Sequence, residues 1–279
     1  MLYLRLLRAN QWVKNLLIFL PLFFSGLFLH VDLLIRSGLG FLAFCLAASA
    51  VYIFNDLRDV EYDRQHPQKK FRPLASNEVS ANKAKVFILL LIILLLVVCY
   101  FIGSLFFFGV TVLYLILNGL YSRYIKHLPI YDIVFLASFY LIRVLAGGVV
   151  TNIRVSGWLF ICIFFFALFL ASGKRRAELI YNSISRPVLA LYNEKFLDFM
   201  VALNIAFGFF TYALYVISLQ KPYWSISVFV TSILVFQVMY EVFVKHKGEA
   251  PEKIFFKNPH VIGLLFLWLI INIITLYVI

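Results

Sequence analysis

The sequence predicts an all-α, polytopic membrane protein: a bundle of nine transmembrane helices. Three observations predict it. Of the 279 residues, 63% are hydrophobic and only 14% are charged, where charged residues make up about a quarter of an average soluble domain. Apolar runs recur from one end of the chain to the other, more than a soluble core of this size can hide. The runs are unbroken, whereas the strands of a membrane barrel alternate over short segments. A chain that crosses lipid must satisfy its backbone internally, so these spans are expected to be helices.

Breaking the runs at polar clusters places spans near 15–35, 38–54, 86–102, 105–121, 132–150, 156–172, 199–219, 224–244 and 261–279. They are expected to form a single integral membrane domain over residues 1–279. Several spans lie close to the lower limit of about 17 residues for a helix crossing the hydrocarbon core. The basic residues test the count. With nine spans, 21 of the 25 Lys and Arg fall on one side, three (Arg36, Arg154 and Lys221) on the other, and Arg143 within a span. Such a split follows the positive-inside rule. It puts the N-terminus and the larger loops on the cytoplasmic side, and the C-terminus outside. Nearly all the Asp and Glu lie on that cytoplasmic side too, with Asp32 the clear exception. Acidic residues do not set topology, so their gathering points to chemistry there.

The formal net charge of +12 would raise nucleic acid as a partner for a soluble protein. Here the positions of the charges assign them to topology and to a site, and no nucleic-acid partner is expected. Cys45, Cys99 and Cys162 each lie inside an apolar run at spacings that fit no metal pattern, so they read as packing residues. The opening MLYLRLLRANQW holds no small-residue cleavage site before the first span, and no removable signal peptide is expected.

The stretch NDLRDVEYDRQHPQKKFRP, Asn55 to Pro73, follows directly on the second span. If the helix continues, Asn55, Asp59 and Asp63 recur at i, i+4 and i+8, and Asp56 and Asp59 at i, i+3, which makes them neighbours on one face. A row of carboxylates repels itself unless a cation intervenes. Hard oxygen ligands at this spacing suit Mg²⁺, which bridges one or two carboxylates to substrate phosphates. His66, Lys69, Lys70 and Arg72 then supply the opposite sign, and Pro67 and Pro73 end the helix. An acidic row followed by a basic loop has the composition of a metal-diphosphate site. A solvated interfacial loop would account for the Lys and Arg, but not for three aspartates at helical spacing.

A second cluster, SGKRRAELI (Ser172 to Ile180), places Lys174, Arg175 and Glu178 after the sixth span. They read as a phosphate site or, equally, as a stop-transfer cluster. A shift of 119 residues lays Asn55, Asp56 and Asp59 onto Lys174, Arg175 and Glu178, a hint of two related halves. Arg143 sits mid-run in FLASFYLIRVLAGG. A charge there is costly and usually faces a polar cavity; the alternative is snorkelling to an interface. Tyr121 and Lys126 close the fourth span, as site residues or as caps. In RANQWVKNLLIFLP, Lys14 and Asn15 carry polar groups into the first span, facing a cavity or anchoring at the interface. Glu249 and Glu252 lie in the last cytoplasmic loop.

NDLRDVEYDRQHPQKKFRP resembles the first motif of the UbiA-type prenyltransferase superfamily, NDxxDxxxD followed by a basic loop. RANQWVKNLLIFLPLFFSG, the HPxKxxRP ending, SGKRRAEL and GEAPE are similar, more narrowly, to its decaprenyl-phosphate phosphoribosyltransferase branch. The resemblance runs from Arg8 to about Glu252. It implies a nine-helix bundle of the UbiA type. It also implies a Mg²⁺-dependent transfer of 5-phosphoribose from phosphoribosyl pyrophosphate to a polyprenyl phosphate lipid, for cell-envelope glycan precursors. Asn55, Asp56, Asp59 and Asp63 would hold the metal-diphosphate. Lys14, Asn15, Lys69, Arg72, Tyr121, Lys126, Arg143, Lys174, Arg175 and Glu178 would bind substrate. Members that use prenyl diphosphates usually carry a second Asp-rich motif; here its place holds Lys174, Arg175 and Arg176. One carboxylate row and many cations suit a diphosphate plus further phosphates. Two rivals stand beside this reading. Prenyl transfer from a polyprenyl diphosphate to an aromatic acceptor predicts a second carboxylate cluster. A lipid-phosphate transporter gives no reason for an Asp row confined to one side, since alternating access needs a midplane site.

Overall fold

The structure is a computed structural model that describes residues 2–65, 69–180, 187–220, 224–244, 254–255 and 258–277. His66, Pro67, Glu249 and Glu252 lie outside the described residues. A short helix α1 (Leu2–Leu7) leads into a 3₁₀ helix (Ala9–Phe19) and α2 (Leu20–Phe24). Then follow α3 (Val31–Arg58), α4 (Val60–Gln65), α5 (Ala81–Ile102), α6 (Leu105–Arg123), α7 (Tyr131–Thr151), α8 (Gly157–Ile180), α9 (Glu194–Ser218), α10 (Trp224–Phe243) and α11 (Pro259–Tyr277). Among the described residues, eight of these helices, α3 and α5 to α11, are long and apolar enough to cross a membrane. The chain is a multi-pass membrane protein, as its composition requires.

The first two spans depart from expectation. The break between them falls at Ser25 to His30, well before the predicted boundary at 35–38. Gly26 takes a φ of 76°, a left-handed conformation that glycine reaches without steric cost. Ser25 Oγ donates to the Leu22 carbonyl at 2.8 Å. Asp32 and Arg36, read from sequence as loop residues, instead sit in the first turns of α3. The acid is favoured there by the positive end of the helix dipole.

In place of the first half of the first predicted span, 15–35, stands a composite rod, Ala9–Phe24, made of the 3₁₀ helix and α2. A 3₁₀ helix rises about 2.0 Å per residue and an α-helix 1.5 Å, so these few residues reach about 30 Å, the thickness of the hydrocarbon core. Three residues per turn also line up i, i+3 and i+6 on one edge. That edge runs antiparallel to α3. Trp12 Nε1 donates to Ser49 Oγ at 3.0 Å, Asn15 Nδ2 to Cys45 Sγ at 3.2 Å, and the Ile18 side chain lies against Gly40.

Clustering of the backbone divides the chain into two compact units. One comprises Met1–Lys126 and Ile142–Arg154, the other His127–Leu141 and Val155–Ile279. In the first unit α3 buries a run of small residues, Ser37, Gly40, Ala43, Ala47, Ala48 and Ala50. Small residues let helices approach closely where no hydrophobic effect drives them together. Gly147 of α7 is the closest such approach. A Cβ there would run into the Ile18 backbone, 2.8 Å from its carbonyl carbon. Gly147→Ala should therefore displace the 3₁₀ rod and cost about 1–3 kcal/mol, the usual range for overpacking. A lowered thermal midpoint in detergent checks this; an unchanged midpoint would contradict it. In the second unit Ile133, Ala137, Ala167, Leu168, Val188 and Leu197 form one core. Phe169, Val201, Ile205, Val238 and Val261 form another.

Candidate functional site

In the first unit, α3 ends at Arg58 and α4 begins at Val60, so Asp59 sits at a break. The backbone ladder nevertheless carries across it. Asp59 N–H donates to Asn55 O at 2.9 Å and Asp63 N–H to Asp59 O at 2.8 Å. The helical spacing of the motif therefore survives, and Asp56 and Asp63, seven residues apart, lie two turns from each other on one side. Both are 4% exposed.

A cation meets each aspartate. Arg72 Nη1 donates to Asp56 Oδ1 at 3.1 Å and to Asp63 Oδ2 at 2.6 Å. Arg8 Nη2 donates to the same Asp56 Oδ1, and its guanidinium lies over the Tyr52 ring at 5.2 Å. Lys126 Nζ donates to Asp59 Oδ1 at 3.1 Å. Ser122 Oγ donates to Asn55 Oδ1 at 2.6 Å, which orients the amide. Arg8 and Arg72 thus face Asp56 and Asp63, and Lys126 faces Asp59. Burial lowers the pKa of Arg8, Asp56 opposes this, and Arg72 pushes the same way as burial.

The basic loop is docked on this cluster. Leu74, Val79, Leu6, Ile53 and Ala84 share a core. Arg64 Nη2 donates to Asn77 Oδ1 at 2.8 Å, and Asn77 takes a φ of 61°. Arg5 Nη2 donates to Phe71 O at 2.5 Å and to Glu78 Oε1 at 3.0 Å. Glu78 is held below its usual pKa, first by the hydrogen bond from Ser76 and then by Arg5. That contribution is present at neutral pH and is lost as pH falls through the lowered value. Lys69 is half-buried in the short 3₁₀ turn Lys69–Phe71.

Deeper in the same unit, Arg143 is 3% exposed. Its Nε donates to Asn15 Oδ1 at 2.7 Å and its Nη2 to Tyr114 OH at 3.1 Å. The guanidinium also lies over the Tyr114 ring at 5.1 Å. Asn15 and Arg143, two residues singled out from sequence, are therefore direct partners. Lys14 is half-buried beside Asn15, and Tyr121 is buried near the end of α6.

In the second unit, Arg175 and Asp132 are both fully buried. Arg175 Nε donates to Asp132 Oδ2 and its Nη1 to Glu178 Oε2, at 2.5 Å each. Tyr192 OH donates to Asp132 Oδ1 at 2.7 Å and accepts from Ile130 N–H. Burial, above all, raises the Tyr192 pKa. Arg176 donates to Asp198 Oδ1 and to the Val242 carbonyl, the latter at 3.4 Å. The basic run read from sequence as a cationic wall is thus largely offset by carboxylates from α7, α8 and α9; Lys174 is half-buried. Each unit carries an ion network near a helix end, anchored by Asp56 in one and by Arg175 in the other. These are the residues that the shift of 119 superimposes.

Sequence reading missed Arg8, Ser122, Tyr114, Asp198 and Tyr192. Arg8 and Ser122 carried no signal beyond their type, since their partners lie 48 and 67 residues away in the chain. Among the described residues, no three His, Cys, Asp or Glu side chains converge as a ready metal cage. A Mg²⁺ held by one or two carboxylates plus substrate phosphates needs no such cage. Asp56 and Asp63 do converge, on one guanidinium nitrogen, so their oxygens can share a single positive centre. These two carboxylates fit the ion, whereas Asn55 and Asp59 face Ser122 and Lys126.

The model of the UbiA prenyltransferase family matches residues 18–270. The chain belongs to the UbiA prenyltransferase family. Similar UbiA relatives include the decaprenyl-phosphate phosphoribosyltransferase of Mycobacterium tuberculosis, 34% identical over 83% of this chain and 78% of that one. The decaprenyl-phosphate phosphoribosyltransferase of Corynebacterium glutamicum is 29% identical over 99% of this chain and 86% of that one. Among solved structures, a UbiA homologue from Archaeoglobus fulgidus bound to GPP and Mg²⁺ superimposes with a TM-score of 0.73 at 18% identity, covering 99% and 97% of the two chains. That likeness establishes the fold.

Proposed function

We propose that the protein transfers 5-phosphoribose from phosphoribosyl pyrophosphate to a polyprenyl phosphate and releases pyrophosphate. The observation that carries this reading is the row Asp56, Asp59 and Asp63 met by Arg8, Arg72 and Lys126, in which Asp56 and Asp63 already share one positive centre. Relatives named decaprenyl-phosphate phosphoribosyltransferase support the choice of substrates, as does the lack of a second Asp-rich motif in the sequence. The protein would work in a bacterial cytoplasmic membrane, with its N-terminus and the transfer site on the cytoplasmic face and its C-terminus outside.

In this reading Asn55, Asp56, Asp59 and Asp63 hold Mg²⁺. When bound, the ion supplies charge neutralisation to the diphosphate. Lys69, Arg72 and Lys126 grip diphosphate oxygens, and Lys14 and Lys174 serve the further phosphates. The Asn15–Arg143 pair, Tyr121 and the Arg175–Glu178 pair orient these groups. Departure of the diphosphate develops positive charge at the anomeric carbon of ribose, where the lipid phosphate oxygen attacks. That oxygen is already ionised at neutral pH, so no strong general base is required. Positioning and electrostatic stabilisation supply the acceleration. The polyprenyl tail lies among apolar helices.

The test is direct. Purified protein in membranes receives labelled phosphoribosyl pyrophosphate, Mg²⁺ and polyprenyl phosphate. Labelled lipid should form with the parent and be lost with Asp59→Ala. Turnover of a prenyl diphosphate with an aromatic acceptor, and no labelled lipid, would overturn the proposal in favour of prenyl transfer.

A further inference from the structure

We infer that Arg8, together with Arg72, is an exchangeable counter-ion that makes metal binding at the aspartate row dependent on a diphosphate. This rests on the reading above and deepens it. Two guanidiniums converge on one oxygen, Asp56 Oδ1. They repel each other, and a divalent cation brought alone to Asp56 meets both. A row already met by Arg8, Arg72 and Lys126 gains two positive charges when a bare ion enters. It loses that excess when the ion arrives with a diphosphate, because the anion balances the ion and offers oxygens to the displaced guanidiniums. Charge-assisted bonds from arginine to phosphate are bidentate and strong.

Arg8 is built for this exchange. Its backbone lies in the left-handed region, with a φ of 51°, and it stands between α1 and the 3₁₀ rod. Its side chain is 22% exposed against 5% for Asp56, so the arginine reaches solvent while the carboxylate does not. The Tyr52 ring lies against the guanidinium, its centroid 5.2 Å away. Arg72 bridges Asp56 to Asp63, and Arg8 adds a further positive charge at Asp56. Arg8 thus acts on the metal through Asp56, as a positioning residue.

The experiment uses the full chain in lipid nanodiscs and Mn²⁺ as a paramagnetic probe. Free Mn²⁺ is followed by electron paramagnetic resonance, with and without inorganic pyrophosphate. The parent should bind Mn²⁺ weakly alone and much more tightly with pyrophosphate. Arg8→Gln should bind Mn²⁺ alone on the order of tenfold more tightly, since one repelling charge a few ångströms away is gone. It should also gain less from pyrophosphate. Arg8→Lys keeps the charge and should behave like the parent, which separates charge from packing. Arg8→Gln with unchanged or weaker binding of Mn²⁺ alone overturns the inference, as does an Arg8→Lys protein that behaves like Arg8→Gln. If the parent binds no Mn²⁺ even with pyrophosphate, the metal-diphosphate reading falls and this inference falls with it. Mn²⁺ bound by the parent but indifferent to Arg8 sinks the counter-ion role alone.

Discussion

Asp56→Asn is expected to lower the rate of phosphoribosyl transfer by about a hundred- to a thousandfold, the range seen when a pre-organised electrostatic group is removed from an active site. Asp56 is the aspartate on which most depends. It is buried and accepts from both Arg8 and Arg72. The amide keeps the shape and loses the charge. Two guanidiniums then face a neutral group, and the Mg²⁺ of the proposed site would lose one of its anionic ligands. The loss should appear in kcat at saturating donor as well as in kcat/KM, because the charge matters most as the diphosphate departs. Asp59, with a 38% exposed side chain and a lysine partner, should respond less in stability than Asp56. Steady-state assays across donor and Mg²⁺ concentrations, paired with thermal unfolding, separate the two effects. Activity within tenfold of the parent for a folded Asp56→Asn protein would remove Asp56 from the machinery.

Asp132→Ala is expected to destabilise the second unit by about 3–5 kcal/mol, the cost of removing one partner of a buried ion pair. Arg175 and Asp132 are both fully buried, and Tyr192 donates to the same carboxylate. The substitution strands the guanidinium with Glu178 as its remaining carboxylate partner in this network, and leaves the Tyr192 hydroxyl without its acceptor. Asp132→Ala combined with Arg175→Leu should recover much of the loss, because it removes the stranded guanidinium and leaves only Glu178, whose side chain is 17% exposed. Midpoints of thermal aggregation in detergent, at one heating rate, report this without relying on activity. A single variant as stable as the parent, or a double variant no better than the single, would contradict the pairing.

How far each feature was legible follows from the range of the interactions behind it. Gly103, for example, ends α5 in the left-handed region with a φ of 65°, and Gly103-Ser104 was visible as a break because that cap is a local preference. Ser25-Gly26 is an equally local turn, yet the apolar run on both sides hid it. The extent of α8 was also hidden. Its polar end, Lys174 to Ile180, lies past the sixth span predicted at 156–172, and there Asp132 and Asp198 meet its arginines from other helices.

The sequence by itself determined that this is a helical, many-spanning membrane protein of the UbiA family, with an aspartate row at helical spacing followed by cations. Hydrophobic runs and residue periodicity act along the chain, so they can be read along it. Only the tertiary structure decided which cation meets which carboxylate. It bound Asn15 to Arg143 across 128 residues and brought Arg8 onto Asp56. It folded the first span as a 3₁₀ rod pressed against Gly147. Each of these rests on a close approach of groups distant in sequence, where desolvation makes the choice of partner decisive.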